Sequence, residues 1–114
     1  MTKDELIASL GEFAPETDLP LDSGILGFVL VLRSGDIDTF ESCQGGAGHS
    51  FPEPTVKFHG NGWEGFKALA IAMTYRLPVL AVRLSWDVCD GMPHGPWWEM
   101  TFYENATEWA NDQR

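Results

Sequence analysis

Cations are scarce in this 114-residue chain: seven Lys and Arg stand against 17 Asp and Glu, giving a formal charge of -10. Such a surface repels phosphates and releases no counterions to drive association, which argues against direct DNA or RNA binding. A basic partner is its natural complement. Long hydrophobic runs are also missing: Ile25–Leu32 falls far short of the roughly 20 residues a membrane span needs. The opening Met-Thr-Lys-Asp-Glu-Leu is polar and acidic, unlike a secretory signal, and only two cysteines occur. Free thiols in a reducing cytoplasm are therefore expected. What is abundant is apolar material, with 44% hydrophobic residues, five Trp and seven Phe. That suffices for one core in one domain and excludes disorder along the whole chain.

Three segments follow one another. Residues 1–24 hold a short helix and an acidic connector; Thr2 and Glu5 have capping-box spacing, and Leu6, Ile7, Leu10 and Phe13 share one helical face. Residues 25–104 form the core domain, and residues 105–114 form a short C-terminal helix or tail. In the core, Asp22 or Ser23 caps a helix over Ile25–Leu32 that is apolar nearly all round, and Gly35 ends it in the left-handed conformation. Thr39–Cys43 and Thr55–His59 read as strands around a Gly- and Pro-rich loop. Asn61 and Glu64 open a helix over Gly62–Arg76, whose buried stripe is drawn from Phe66, Leu69, Met73 and Leu77. Pro78 stops it. Val79–Val88 and Trp97–Tyr103 alternate as strands around a turn at Cys89–Pro96, and Asn105 with Glu108 caps a last helix anchored by Trp109.

The expected fold is α/β of the α+β kind: a two-layer sandwich, with a four-stranded antiparallel sheet and helices on one face. Its order is αββαββ behind the short N-terminal helix. The two αββ units suggest a duplication, with Gly27-Phe28 matching Gly65-Phe66 and Cys43 with His49 matching Cys89 with His94. Strand alternation sends Phe40, Ser42, Val56, Phe58, Leu80, Val82, Leu84, Trp86, Trp98, Met100 and Phe102 toward the helices. The other face carries Glu41, Cys43, Lys57, His59, Arg83, Asp87, Trp97, Glu99 and Tyr103 and is expected to stay wet.

Several constellations on that wet face could carry chemistry. The loop residues Gln44, Gly45, Gly46 and Gly48 can converge backbone N–H groups on a ligand, although no Walker or dinucleotide pattern surrounds them. Cys43 with His49 or His59 is a candidate nucleophile–base pair, opposed by the neighbouring Glu41 carboxylate, which disfavours a thiolate. Cys43, His49, Cys89 and His94 are the ligand types of a zinc site at spacings outside its common signatures. Glu41, Glu99 and Asp87 offer paired carboxylates, yet Lys57 and Arg83 on the same face account for them as cross-strand charge pairs. Trp97 and Tyr103 are exposed aromatics of the kind that anchor interfaces, and Glu12, Glu16 and Asp18 crowd the lead segment with negative charge.

The stretch Thr39-Phe-Glu-Ser-Cys-Gln-Gly-Gly with Gly48-His49, followed by Phe51-Pro-Glu-Pro-Thr-Val-Lys-Phe-His-Gly60, resembles a motif of small uncharacterised proteins from bacteria, phages and prophages. The resemblance spans roughly residues 25–103, the extent of one compact domain. Small acidic phage proteins include inhibitors of host defence, anti-CRISPR proteins among them, and that class-level analogy implies a similar role here. Ser42-Cys43-Gln44-Gly45 is also weakly similar to wybutosine-synthesis enzymes, whose tRNA substrate would require a basic surface that this chain lacks.

The expectation is a non-catalytic, anti-CRISPR-like inhibitor without cofactor or metal, acting in the host cytoplasm. It would bind a basic, nucleic-acid-handling host protein such as a CRISPR effector subunit. Glu41, Trp97, Glu99, Tyr103, Glu12, Glu16 and Asp18 would make the contacts, without direct binding to nucleic acid or membrane. The alternative is a small-molecule- or nucleotide-binding protein or enzyme that uses loop 44–48 with Cys43, His49 and His59.

Overall fold

The computed structural model describes residues 23–48 and 51–112. Seven elements follow in order: α1 (Ser23–Ser34), β1 (Asp38–Cys43), β2 (Thr55–His59), α2 (Glu64–Thr74), β3 (Val79–Cys89), β4 (Met92–Phe102) and α3 (Ala106–Asp112). All ladders are antiparallel, and the spatial order is β1-β2-β4-β3. This is the expected α+β sandwich, with αββαββ order and a short helix after it. The lead segment 1–22, with Glu12, Glu16 and Asp18, and the loop residue His49 lie outside the described residues.

Burial explains α1. Ile25, Phe28, Val29, Leu30, Val31 and Leu32 are almost without solvent contact, because the sheet lies beneath the helix and both α2 and α3 pack against it. Phe28 stacks on Phe102 of β4 with ring centroids 4.3 Å apart and meets Trp109 of α3 edge-on at 5.9 Å. Val56, Phe58 and Met100 complete the sheet's side of the core.

Both longer helices close alike. In α1 the Asp36 N–H donates to the Arg33 carbonyl and the Ile37 N–H to that of Leu32. In α2 the Arg76 N–H donates to Met73 and the Leu77 N–H to Ala72. This is Schellman closure, with a buried apolar residue following the left-handed one. The left-handed residue is Asp36 (φ 64°) in one case and Arg76 (φ 57°) in the other, not Gly35. Gly35 sits one residue earlier, where any Cβ would overlap the Ile71 side chain of α2.

The strands that follow repeat the match, with Phe40 the extra residue of a bulge in β1 and Leu80 that of one in β3. Leu32–Glu41 and Ala72–Ala81 thus share one local geometry, from helix closure to strand bulge. Gly27-Phe28 and Gly65-Phe66, and likewise Cys43 and Cys89, do not occupy equivalent positions.

Two expectations about packing fail. The buried residues of α2 are Gly65, Ala68 and Ala72, whereas Phe66 and Met73 are exposed. Trp98 of β4 is the reason: a Cβ on Gly65 would lie 2.5 Å from its ring, and its indole N–H donates to the Asn61 carbonyl at 2.9 Å. The helix rests so close to this ring that only small side chains fit beneath it.

The second failure concerns β4, which starts at Met92, not Trp97. Asp90 (φ 52°) and Gly91 (φ 75°) form a two-residue turn of the kind that matches strand twist. As a result β3 and β4 run past the ends of β1 and β2 as a two-stranded arm over residues 85–97. Trp86, expected in the core, stands 58% exposed on that arm.

A left-handed residue with a Cβ costs roughly 1 kcal/mol relative to glycine. Asp36→Gly and Arg76→Gly should therefore each raise the urea-unfolding free energy by about 0.5–1 kcal/mol. A fall in stability for both would contradict the Schellman assignment.

Candidate functional site

Alternation along the strands brings Glu41, Lys57, Glu99 and Arg83 onto one row, a residue from each strand. Glu41 pairs with Lys57, Lys57 with Glu99, and Glu99 with Arg83. Charge alternates across the sheet. The Lys57 ammonium lies 3.4 Å from Glu41 and 3.8 Å from Glu99. Phe51, reaching in from the loop before β2, and Trp97 present their rings to it at 5.0 and 5.4 Å, within cation–π range.

This part of the face is consequently not wet. Lys57 is only 7% exposed, and Thr55 and Cys43, paired in the next row on this face, are buried too. An ammonium withdrawn from water needs matched negative charge, which the two carboxylates supply. Arg83, at the row's other end, is exposed and makes no ion pair among the described residues.

The bulge re-aims β1. Phe40, expected among the core-facing residues, swings to the polar face, stacks on His59 with centroids 4.1 Å apart and meets Trp97 edge-on at 5.9 Å. Thr39 takes the inward place. Arg33 of α1 fixes it there, donating from Nε to Thr39 Oγ1 at 2.8 Å and from Nη2 to the Thr39 carbonyl at 3.1 Å. Phe40 and His59 are both exposed, next to the exposed Asp38 and Glu41.

The Gly-rich loop has much of its polarity engaged internally. The Gln44 side-chain oxygen accepts the Gly24 N–H at the start of α1 at 3.2 Å, and the Gly46 N–H donates to the Pro52 carbonyl at 3.0 Å. Gly45, Gly46 and Gly48 all have positive φ, and Gly48 stands in open space. The loop thereby ties β1 back to α1 and delivers Phe51 over Lys57.

Cys43 and His59 do not meet. Cys43 pairs with Thr55, whereas His59 pairs with Asp38 at the far end of the same ladder, about 13 Å away along β2. Cys89 and His94 lie on the arm, and by strand rise Cys89 is about 26 Å from the row that holds Cys43. Among the described residues no group of three or more His, Cys, Asp or Glu converges to hold a metal. Asp87 is on the arm as well, about 13 Å from the charged row, so Glu41, Glu99 and Asp87 make no acid–base set.

Of the expected contact residues, Trp97 and Glu99 are occupied with Lys57. Glu41 keeps about half of its side chain in solvent, and Tyr103 is exposed. Phe40 is the residue that sequence reasoning missed. No local signal marks it, since its position depends on Arg33 reaching across from α1. No protein-family model, no curated protein and no solved structure matches the chain.

Removing one member of a buried ion pair is far costlier than removing an exposed partner. Lys57→Ala should destabilise by about 3 kcal/mol, Lys57→Met by less because it keeps the packed stem, and Glu41→Gln by about 1 kcal/mol or under. Urea titration of the three variants checks the order. Equal losses for Lys57→Ala and Glu41→Gln would overturn the central role given to the ammonium.

Proposed function

We propose that the chain is a non-catalytic binding domain that docks on the basic surface of a nucleic-acid-handling protein and, by occupying that surface, inhibits it. The observation that carries this reading is the aromatic pair Phe40–His59 held at the β1 edge among exposed acids, of which Glu41 is paired with Lys57. Asp36, Asp38, Glu41 and Glu53 are exposed on this side of the molecule. The nearby cations are turned inward: Lys57 is buried beneath Trp97, and Arg33 is engaged with Thr39. The fully exposed charged side chains around β1 are therefore acidic.

Acidic residues around an exposed aromatic supply long-range attraction and a desolvated anchor together. Phe40, Asp38 and Glu41 are the principal contacts on this reading, with Tyr103 toward the rim. Trp97 and Glu99 act from beneath as the support that holds the edge in place. The separation of Cys43 from His59 and the engagement of Gln44 and Gly46 within the fold favour binding over the ligand-loop alternative.

Immobilised protein should capture basic, nucleic-acid-binding proteins from a bacterial lysate and release them as salt shortens the Debye length to a few ångströms. Phe40→Ser and the double variant Asp38→Lys/Glu41→Lys should each lose that set. An unchanged captured set in both variants would refute the docking surface.

A further inference from the structure

The two edges of this sheet are unlike. β1 is a six-residue strand, broken by the Phe40 bulge and flanked by acids. β3 is an eleven-residue strand with no proline and a free edge; past the Leu80 bulge its ladder to β4 shifts register once more, between Ser85 and Asp87, where the extra residue belongs to β4. On the arm the opposite strand is protected: Pro93 and Pro96 remove amide donors from β4 where β2 no longer covers it. β3 has no such protection. Its side chains toward the helices, Leu84, Trp86 and Val88, are 50%, 58% and 73% exposed, and the neighbouring α2 leaves Phe66 and Met73 in solvent.

We infer that a second copy of this chain covers the edge, with the two β3 strands pairing antiparallel about a two-fold axis through Ser85. Four observations converge on that axis. Paired residues of a continuous sheet share a face, so a two-fold that keeps both helix layers on one side must pass through a residue and not between two. With the axis at Ser85, the segment Val82-Arg83-Leu84-Ser85-Trp86-Asp87-Val88 is self-complementary. Arg83 faces the partner's Asp87, Leu84 the partner's Trp86, and Val82 the partner's Val88. Moving the axis to Leu84 or Trp86 sets Arg83 against Ser85 or Cys89 and leaves both charges unmatched.

The second observation is that Arg83 and Asp87 are exposed and have no ion-pair partner of their own among the described residues. The third is that α2 lies beside β3, so the same axis brings the Phe66 and Met73 faces of two α2 helices toward each other. The fourth is electrostatic. Lys67, Arg76 and Arg83, the exposed cations among the described residues, all lie on the α2–β3 half. The acidic β1 edges are thereby placed at the two far ends of an eight-stranded sheet, about 34 Å apart by strand spacing, where their mutual repulsion is well screened at physiological salt.

Sedimentation of the full chain over a dilution series should show a monomer–dimer equilibrium. Arg83→Asp and Asp87→Arg should each weaken it about tenfold or more, because each places like charges opposite one another twice. The double variant Arg83→Asp/Asp87→Arg should restore it. Independently, in a Cys89→Ser background, Ser85→Cys should form a dimer-linking disulfide under mild oxidation, since directly opposed residues lie within disulfide reach. Ala81→Cys in that background should not, because it is far from its own copy. A monomer throughout the dilution series, a double variant no better than the single ones, or cross-linking through position 81 as fast as through 85 would each overturn the proposal. The cross-link changes no charge, so it reads the register even if a charge-reversed variant fails to fold. Neither assay involves the β1 edge, so the fate of this dimer and that of the docking surface are decided separately.

Discussion

An ammonium with almost no access to water stands in the middle of this sheet. Lys57 tolerates burial because β1 and β4 each bring a carboxylate to its row and because Phe51 and Trp97 screen it with ring faces. That need constrains the register of three strands at once. A one-residue slip of either neighbour would turn its carboxylate to the apolar side and strand the charge. It also assigns the Gly-rich loop a structural duty: the chain must leave β1, anchor Gln44 to the start of α1, and return in time to lay Phe51 over the row.

The two αββ units share a local backbone plan, and their inequality accounts for the surface. Schellman closures and strand bulges match between them. The units differ in what covers them. α1 packs against both α2 and α3, so its apolar residues are hidden; α2 has α1 but no contact of that order with α3, and keeps Phe66 and Met73 in solvent. Charge diverges too, with cations drawn inward near β1 and left outside near β3. An acidic edge with an aromatic at its centre and a charge-balanced apolar edge are the two products.

Much of this was legible in residue order because the rules involved are local. Apolar residues all round Ile25–Leu32 mark a helix buried on every side. Strict alternation in β2 and β4 set Lys57 and Glu99 apart from Val56, Phe58 and Met100, and from this the charged row followed. The failures have nonlocal causes. Phe40 reads as a core residue because alternation assigns it there, and only the Arg33–Thr39 contact from another element reverses the choice. Gly65, Ala68 and Ala72 score poorly beside Phe66 and Met73 on any hydropathy scale, yet the Trp98 ring leaves room only for them. Asp90-Gly91 was a hairpin signal in plain view, masked by two prolines that suggest a loop. The burial of Lys57 depends on Phe51, whose approach no strand pattern encodes.

The Asp90–Gly91 turn also separates what the base of the arm can change from what its tip can change. Pairs at the base of the arm are locked to the sheet through β2, whereas the turn at its tip touches no core. Adding one residue to each strand beside it would leave every lower rung in place and invert the tip, bringing the side chains now on one surface to the other. The outermost chemistry of the molecule is therefore reversible by a single rung, while the interior beneath it stays untouched.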